Sequence, residues 1–508
     1  MADHPHQPEP SRRACVRVRY SPRWWLSLLV LLAGVRLVVA GILPLSPDEA
    51  YYRLWAFAPA AGYLDHPPMV AAWIRLGIWL AGDNASGVRL VGVLAGAGLS
   101  FFVFRAVRDL LPGAGRAGAV RACVMLQATL ALAIQSVVIT PDMPVMFFIS
   151  MLLWAMGRVK AGAGTGWWLV AGLAAGLACD SKYTAILPVG GIGLWLVVHG
   201  LRHRAWGLRQ VPGVVGGVMA AALCVAPVVW WNAGHGWASF VRQGGRTVDW
   251  HPGRAMQFLT ELAAGQVGLM TPGVAAFFIG GQVVMLRHAR REAGCALLSC
   301  MTLLPACVFV QHAMGDRVQA NWPVVIYPML AAGTAMMAWR WARWAVGGGV
   351  VVGALVYLQA LFAPLPLSAH ADVALRQMAG WRGLAAGIEA QARPGDFIAA
   401  CDYGTAAELA AVMPGRVVVG MEPRWALFNL PHDVAGDGIM ACNPRRDFDR
   451  DDFTSVEPVV TLERGRHGRV AERVTLYRVS LRPDLSATQR STIVRLPTPE
   501  KDSIKGFW

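Results

Sequence analysis

Eleven apolar stretches constrain this chain more than anything else in it: 25–43, 86–104, 117–138, 143–157, 167–180, 183–199, 211–231, 264–286, 294–312, 323–339 and 345–363. Runs of this kind recur too often and run too long for the interior of a water-soluble domain. The expected fold class is therefore a polytopic α-helical membrane protein with about eleven spans. Several runs fall short of the roughly 20 residues that a straight crossing needs, and the pair divided by "CDSKYT" reads as two short or broken helices meeting inside the protein.

Only 15% of the 508 residues are charged, yet the formal net charge is +15. A nucleic-acid partner is not read from this, because the basic residues lie in short links between apolar runs and form no basic patch interleaved with aromatics. They follow the positive-inside pattern instead. Five arginines precede residue 24; Arg105, Arg108 and Arg116, then Arg158 and Lys160, then Arg202, Arg204 and Arg209 occupy later links, followed by Arg287, Arg290 and Arg291 and by Arg340 and Arg343. With the N-terminus inside, all of them fall on the cytoplasmic side, and eleven spans place the C-terminus outside. The first apolar run lacks an A-x-A-like cleavage site and reads as a retained span.

Four regions follow: a disordered cytoplasmic segment (1–23), a membrane domain (24–365), an extracytoplasmic α/β domain (366–482) and a polar tail (483–508). "GDFIAACDYGTAAELAAVMPGRVVVGM" reads as strand, turn, short helix, Pro-Gly turn and strand, and "SVEPVVTLERGRHGRVAERVTLYRVSL" as two strands around a basic turn. Most of the nine cysteines lie in apolar helices as small packing residues, without metal-type spacing. Cys401 and Cys442 are candidates for a disulfide if their domain is extracytoplasmic, a pairing that the sequence leaves open.

The stretch "SPDEAYY" places Asp48 and Glu49 where the first span ends. A charge at membrane depth costs about 2.5–3.5 kcal/mol, so such residues sit at an interface or in a functional cavity. On the eleven-span topology the other unusual polar residues fall on the same, outer side. These are Asp65 and His66 in "GYLDHPPM", before a helix at 69–81 expected to lie in the interface; Asp142 in "TPDMP"; Lys182 in "DSKYT"; Arg242, Arg246, Trp250 and His251; and Asp316, Arg317, Asn321 and Trp322 in "HAMGDRVQANWP". Each has a plain structural explanation. Asp142 suits a helix cap, Lys182 a snorkelling helix end, "DHPP" a rigid extended turn, and the tryptophan pairs Trp167–Trp168 and Trp230–Trp231 an interfacial belt. Their convergence on one face is what points to a site. Carboxylates beside Lys and Arg at the water–membrane boundary suit chemistry on a lipid phosphate, where cations hold the leaving phosphate and a carboxylate takes the proton of an attacking hydroxyl.

The segments "SPDEAYYRLWAFAPAAGYLDHPPMVAAWIRLG", "ITPDMPVMFF", "GLACDSKYTAILP" and "VQANWPVVIYP" together resemble the GT-C class of polyprenyl-phosphate-sugar-dependent glycosyltransferases. Within that class the likeness is to the bacterial lipid A aminoarabinose transferases and the protein O-mannosyltransferases, over most of residues 25–365. The resemblance implies inverting transfer of a hexose or pentose from undecaprenyl phosphate to a hydroxyl or phosphate acceptor at the periplasmic face of the bacterial inner membrane. It implies Asp48 as general base, with Glu49 or Asp142 orienting the acceptor, and Lys182, Arg246 and Arg317 on the donor phosphate. Tyr51, Tyr52, Asp65, His66, Asn321 and Trp322 would line the cavity. The implied partners are the lipid-linked donor, an envelope glycolipid or a protein acceptor, and membrane lipids. No metal motif is present; a divalent ion held by Glu49 or Asp142 stays open. Readings from other classes are a lipid-linked-sugar transporter or flippase, a non-catalytic lipid-linked-sugar binding protein, and an oligosaccharide polymerase or ligase. The absence of a repeat between the two halves of the chain argues against the transporter.

Overall fold

A computed structural model describes residues 22–203, 210–245, 250–338, 340–446 and 448–499. The membrane domain begins with α1 (Pro22–Ile42), α2 (Pro47–Phe57), α3 (Met69–Ala81), α4 (Ala85–Leu110), α5 (Gly115–Gln127), α6 (Leu130–Gln135), α7 (Asp142–Lys160) and α8 (Gly166–Cys179). It continues through α9 (Ile186–His203), α10 (Val211–Gly234), α11 (Ala238–Gly244), α12 (Ala255–Met270), α13 (Pro272–His288), α14 (Ala293–Ala313), α15 (Tyr327–Gly333) and α16 (Ala342–Phe362). Helix α4 is central, packing against α1, α3, α5 and α7. Helices α8 and α10 meet backbone to backbone: a Cβ on Gly172 would lie 1.9 Å from the Gly217 carbonyl oxygen, the close approach that small residues permit where apolar side chains gain nothing by leaving lipid.

Among the described residues six helices, α1, α4, α7, α10, α14 and α16, are long and apolar enough to cross a membrane. The chain is a multi-pass membrane protein, but five of the eleven stretches are not long straight spans: 167–180 and 183–199 form the shorter helices α8 and α9, and three more are broken or bent. The stretch 117–138 is divided into α5 and α6, and Thr129 caps the second half by accepting from the Leu132 amide. The stretch 264–286 is bent by 104° between α12 and α13, where Pro272 lacks the N–H that a continuing helix needs and Thr271 adopts a left-handed φ of 70°. The stretch 323–339 forms α15 flanked by 3₁₀ turns (Trp322–Ile326 and Thr334–Met336). Periodicity alone does not locate such breaks, because the apolar pattern continues through them.

The remaining chain forms α17 (Val373–Met378), α18 (Trp381–Glu389), β1 (Phe397–Ala400), α19 (Tyr403–Val412), β2 (Val418–Gly420), β3 (Asp437–Cys442), β4 (Phe453–Arg466), β5 (Arg469–Leu481), α20 (Ala487–Thr492) and β6 (Val494–Leu496). One mixed sheet runs in the order β4-β5-β3-β1-β2-β6, with β1 parallel to β2 and β3 and the other pairs antiparallel. The central strands β1 and β2 are buried throughout, as expected for parallel strands covered on both faces.

Within the expected polar tail from residue 483, residues 487–496 form α20 and the edge strand β6, which pairs with β2, and the Pro497 carbonyl accepts from Arg53 of α2. Three backbone pairs and a capping box hold this polar segment in place, neither of which leaves an apolar periodicity to read. The long β4–β5 hairpin turns at His467 and Gly468, both at positive φ, and its tip reaches the membrane domain. Arg466 donates to the carbonyls of Gln359 and Ala360 in the last turn of α16, the first of which also accepts from the Ala363 amide.

Candidate functional site

Helix α2 starts at a capping box in which the Ser46 hydroxyl accepts from the Glu49 amide and the Glu49 carboxylate accepts from the Ser46 amide. Pro47 occupies the first turn without wasting a donor. Asp48 follows it and opens into a cleft of about 920 Å³ between α2 and the sheet domain. The Tyr403 hydroxyl donates to Asp48 Oδ1 at 3.1 Å. Tyr403 is set by its own helix start, where Asp402 accepts from the amides of Gly404 and Thr405 at 3.1 and 3.0 Å. A Cβ on Gly404 would lie 2.8 Å from Pro47 Cβ, so the missing side chain lets α19 rest on the start of α2. Cys401, immediately before Asp402, forms a disulfide with Cys442 and joins the ends of neighbouring strands β1 and β3.

The cleft walls raise the pKa of Asp48 by desolvation, opposed by the Tyr403 hydrogen bond; nearby Asp65 and Glu49 raise it further, and Arg424 lowers it. A carboxylate so raised is a stronger base that still ionises. The Tyr403 bond favours the ionised form. Tyr403→Phe should therefore move the acid limb of any Asp48-dependent activity to higher pH, and a pH–rate profile with an unmoved limb would remove Tyr403 from the site.

Glu49, expected beside Asp48 in the site, does not line the cleft. Glu49 is fully buried and paired with buried Arg89 through Nε–Oε1 at 2.6 Å and Nη2–Oε2 at 2.7 Å. Its Oε1 also accepts from the Ile139 amide at 2.9 Å. Arg89 in turn donates to the carbonyls of Ala40, Leu43 and Pro44 at the end of α1. Glu49 thus fastens α1, α2, α4 and the approach to α7, while its neighbour Asp48 faces the cleft.

Asp65 faces the same region as Asp48. Its Oδ2 accepts from the Tyr51 hydroxyl at 3.2 Å and from Arg424 Nη1 at 2.9 Å, and Arg242 Nε lies 3.8 Å from Oδ1. Arg424 belongs to the sheet domain, pairs also with Glu422, and lies 3.9 Å over the Tyr403 ring. Tyr51 and Tyr52 are buried in the aromatic cluster behind this network, and the half-buried His66 ring stands edge-on to Tyr52. Tyr403, Arg424 and Glu422 did not emerge from the sequence as site residues. Nothing local marks a contact that joins residues 359 positions apart in the chain.

A second cluster joins Asp142, Lys182 and Asn321. The Lys182 ammonium lies 2.6 Å from Asp142 Oδ1, and the Asn321 amide donates to Oδ2 at 2.7 Å. Asp142 and Lys182 are both buried, so Lys182 is an inward ion-pair partner and does not snorkel. The two clusters share a frame: the Met69 amide donates to the Asp180 carbonyl, Gln243 donates to the Asp65 carbonyl, and Tyr183 and Ser239 share a 2.6 Å hydrogen bond. Trp322 opens the 3₁₀ turn that packs on α7, with the His312 ring 5.6 Å away. Arg317 departs from expectation. It is largely exposed and pairs with Glu261 of α12 at 2.6 Å, apart from the Asp142 cluster. Arg246 lies outside the described residues. Among the described residues no group of three or more His, Cys, Asp or Glu side chains is placed to hold a metal ion.

Comparison with solved structures gives ArnT from Cupriavidus metallidurans bound to undecaprenyl phosphate, at a TM-score of 0.62 and 16% identity over 94% of this chain and 100% of that chain. The chain has an ArnT-like GT-C fold. The same protein in its apo state matches at a TM-score of 0.59 and 17% identity, over 90% of this chain and 98% of that one. The family described as dolichyl-phosphate-mannose-protein mannosyltransferase matches residues 65–231. A curated relative, the lipid A galacturonosyltransferase RgtD of Rhizobium johnstonii, is 27% identical over 303 residues, which are 59% of this chain and 61% of the relative. The chain thus spans about three fifths of the length of that relative. The likeness to glycosyltransferases of the ArnT and protein O-mannosyltransferase kind, read from the motifs, is borne out.

Proposed function

We propose that this protein transfers a sugar from a polyprenyl phosphate, undecaprenyl phosphate in bacteria, to an acceptor hydroxyl or phosphate on an envelope glycolipid at the periplasmic face. The observation that carries the proposal is Asp48, a carboxylate of raised pKa held by Tyr403 in a cleft large enough for a glycolipid headgroup. Asp48 takes the proton of the acceptor hydroxyl, its oxygen attacks the anomeric carbon from the face opposite the phosphate, and the C–O bond to phosphate breaks with inversion. The electron pair leaves on the lipid phosphate, which is a good leaving group without a general acid, so one carboxylate suffices. Lys182, with one ammonium donor on Asp142, has two more for the departing phosphate, and His66 supplies a further donor to it. Asp142 and Asn321 position Lys182. Glu49 and Arg317 have no direct part.

RgtD is named as acting on lipid A, which supports a glycolipid over a protein acceptor. Mass spectrometry of lipid A, envelope glycans and secreted proteins from cells with and without this protein tests the proposal. A sugar-sized mass should disappear from a glycolipid fraction when the protein is removed. No change in any fraction, with lipid-linked sugar accumulating on the cytoplasmic leaflet, would instead support transport.

A further inference from the structure

The cleft that receives Asp48 is lined by five arginines against three carboxylates, and most of that charge is already committed. Arg464 is spent on Glu472 and the carbonyls of Arg376 and Ala379, Arg473 donates to Glu463, and Asp402 caps α19. Arg445 and Arg446 differ. Both are exposed in the cleft, and among the described residues neither guanidinium forms a hydrogen bond. Their backbone is nevertheless fixed: the Arg445 amide donates to the Asn443 side chain and the Arg446 amide to its carbonyl, each at 2.9 Å. Asn443 is itself tied to Glu472, and the residue before it is Cys442 of the disulfide. The bridge thus fastens, from one point, the loop bearing the two arginines and the helix start bearing Tyr403. A loop fixed through its backbone, presenting two exposed guanidinium groups across a cleft from a carboxylate, offers a site for an anion, although Arg446 also lies near enough to Glu422 to oppose the rise that burial gives its pKa.

We propose that Arg445 and Arg446 form a subsite for a phosphate carried by the acceptor, apart from its reacting oxygen, so that holding this phosphate brings the reacting group to Asp48. The inference rests on the reading of the protein as a glycosyltransferase and deepens it, naming an anionic acceptor and placing its recognition on the sheet domain. Loss of the arginines therefore acts on acceptor binding and leaves donor use alone.

The test uses the purified full-length protein in vesicles of neutral phospholipid, a polyprenyl-phosphate sugar donor, and one glycolipid acceptor in phosphorylated and phosphatase-treated forms. Arg445→Ala/Arg446→Ala should raise the acceptor KM roughly tenfold or more for the phosphorylated form, since each charge-assisted hydrogen bond lost is worth about a tenfold factor or more. The donor KM and kcat should stay within about twofold, Arg445→Lys/Arg446→Lys should recover part of the loss, and the phosphatase-treated acceptor should show no difference between variant and wild type. An unchanged acceptor KM, or an equal loss with both acceptor forms, overturns the subsite. So does a loss seen only when anionic bystander lipid is added to the vesicles. Wild-type protein that transfers no sugar to either form refutes the glycosyltransferase reading itself, a result distinct from all of these.

Discussion

Asp48→Asn should lower transfer by about 10²- to 10⁴-fold, the range that a positioned general base contributes. The substitution keeps the volume and leaves an acceptor for the Tyr403 hydroxyl, so the contact between α2 and α19 persists. Asp48 takes no part in the capping box, which uses Ser46 and Glu49. The thermal midpoint should therefore stay near that of the wild type while turnover collapses. Measuring initial rates with donor and acceptor both saturating, alongside thermal unfolding in detergent, separates the two. Turnover within a few-fold of wild type would remove Asp48 from the chemistry. The activity of the wild type should also fall as pH is lowered through the raised Asp48 pKa, because the base must be ionised to accept a proton.

Glu49→Ala should have the opposite profile. It leaves the Arg89 guanidinium buried without its carboxylate and the Ile139 amide without an acceptor, and breaking a buried pair from one side costs about 3–5 kcal/mol. That is a large share of the stability of an ordinary domain. The expected result is a marked loss of folded protein and a lowered unfolding midpoint, with whatever folds retaining measurable turnover per molecule. A normally stable Glu49→Ala protein with no turnover would return Glu49 to the catalytic residues. The neighbouring acidic residues Asp48 and Glu49 thus make the sharpest pair of experiments: one substitution should spare the fold and lose the reaction, and the other should do the reverse.

The sequence by itself determined a helical membrane protein, the α/β character of the later region with its strand–helix–strand unit and hairpin, and a set of polar residues on one face. Apolar runs, turn residues and lone charges carry these signals locally, so no long-range contact is needed to see them. The grouping of Asp142, Lys182 and Asn321 was also legible as a common side, although not as a contact, since the three lie on separate segments 40 and 179 residues from Asp142. Tertiary structure alone decided which acidic residue of "PDEAYY" faces the cleft. Adjacent positions on a helix point about 100° apart, and only the place of Arg89 on α4 fixes which of the two is buried. It also turned Arg317 toward Glu261, brought Tyr403 and Arg424 of the sheet domain over α2, and joined Cys401 to Cys442. Each of these depends on how two distant segments dock. That docking is set by packing, as at Gly404 against Pro47, and leaves no periodicity in either segment.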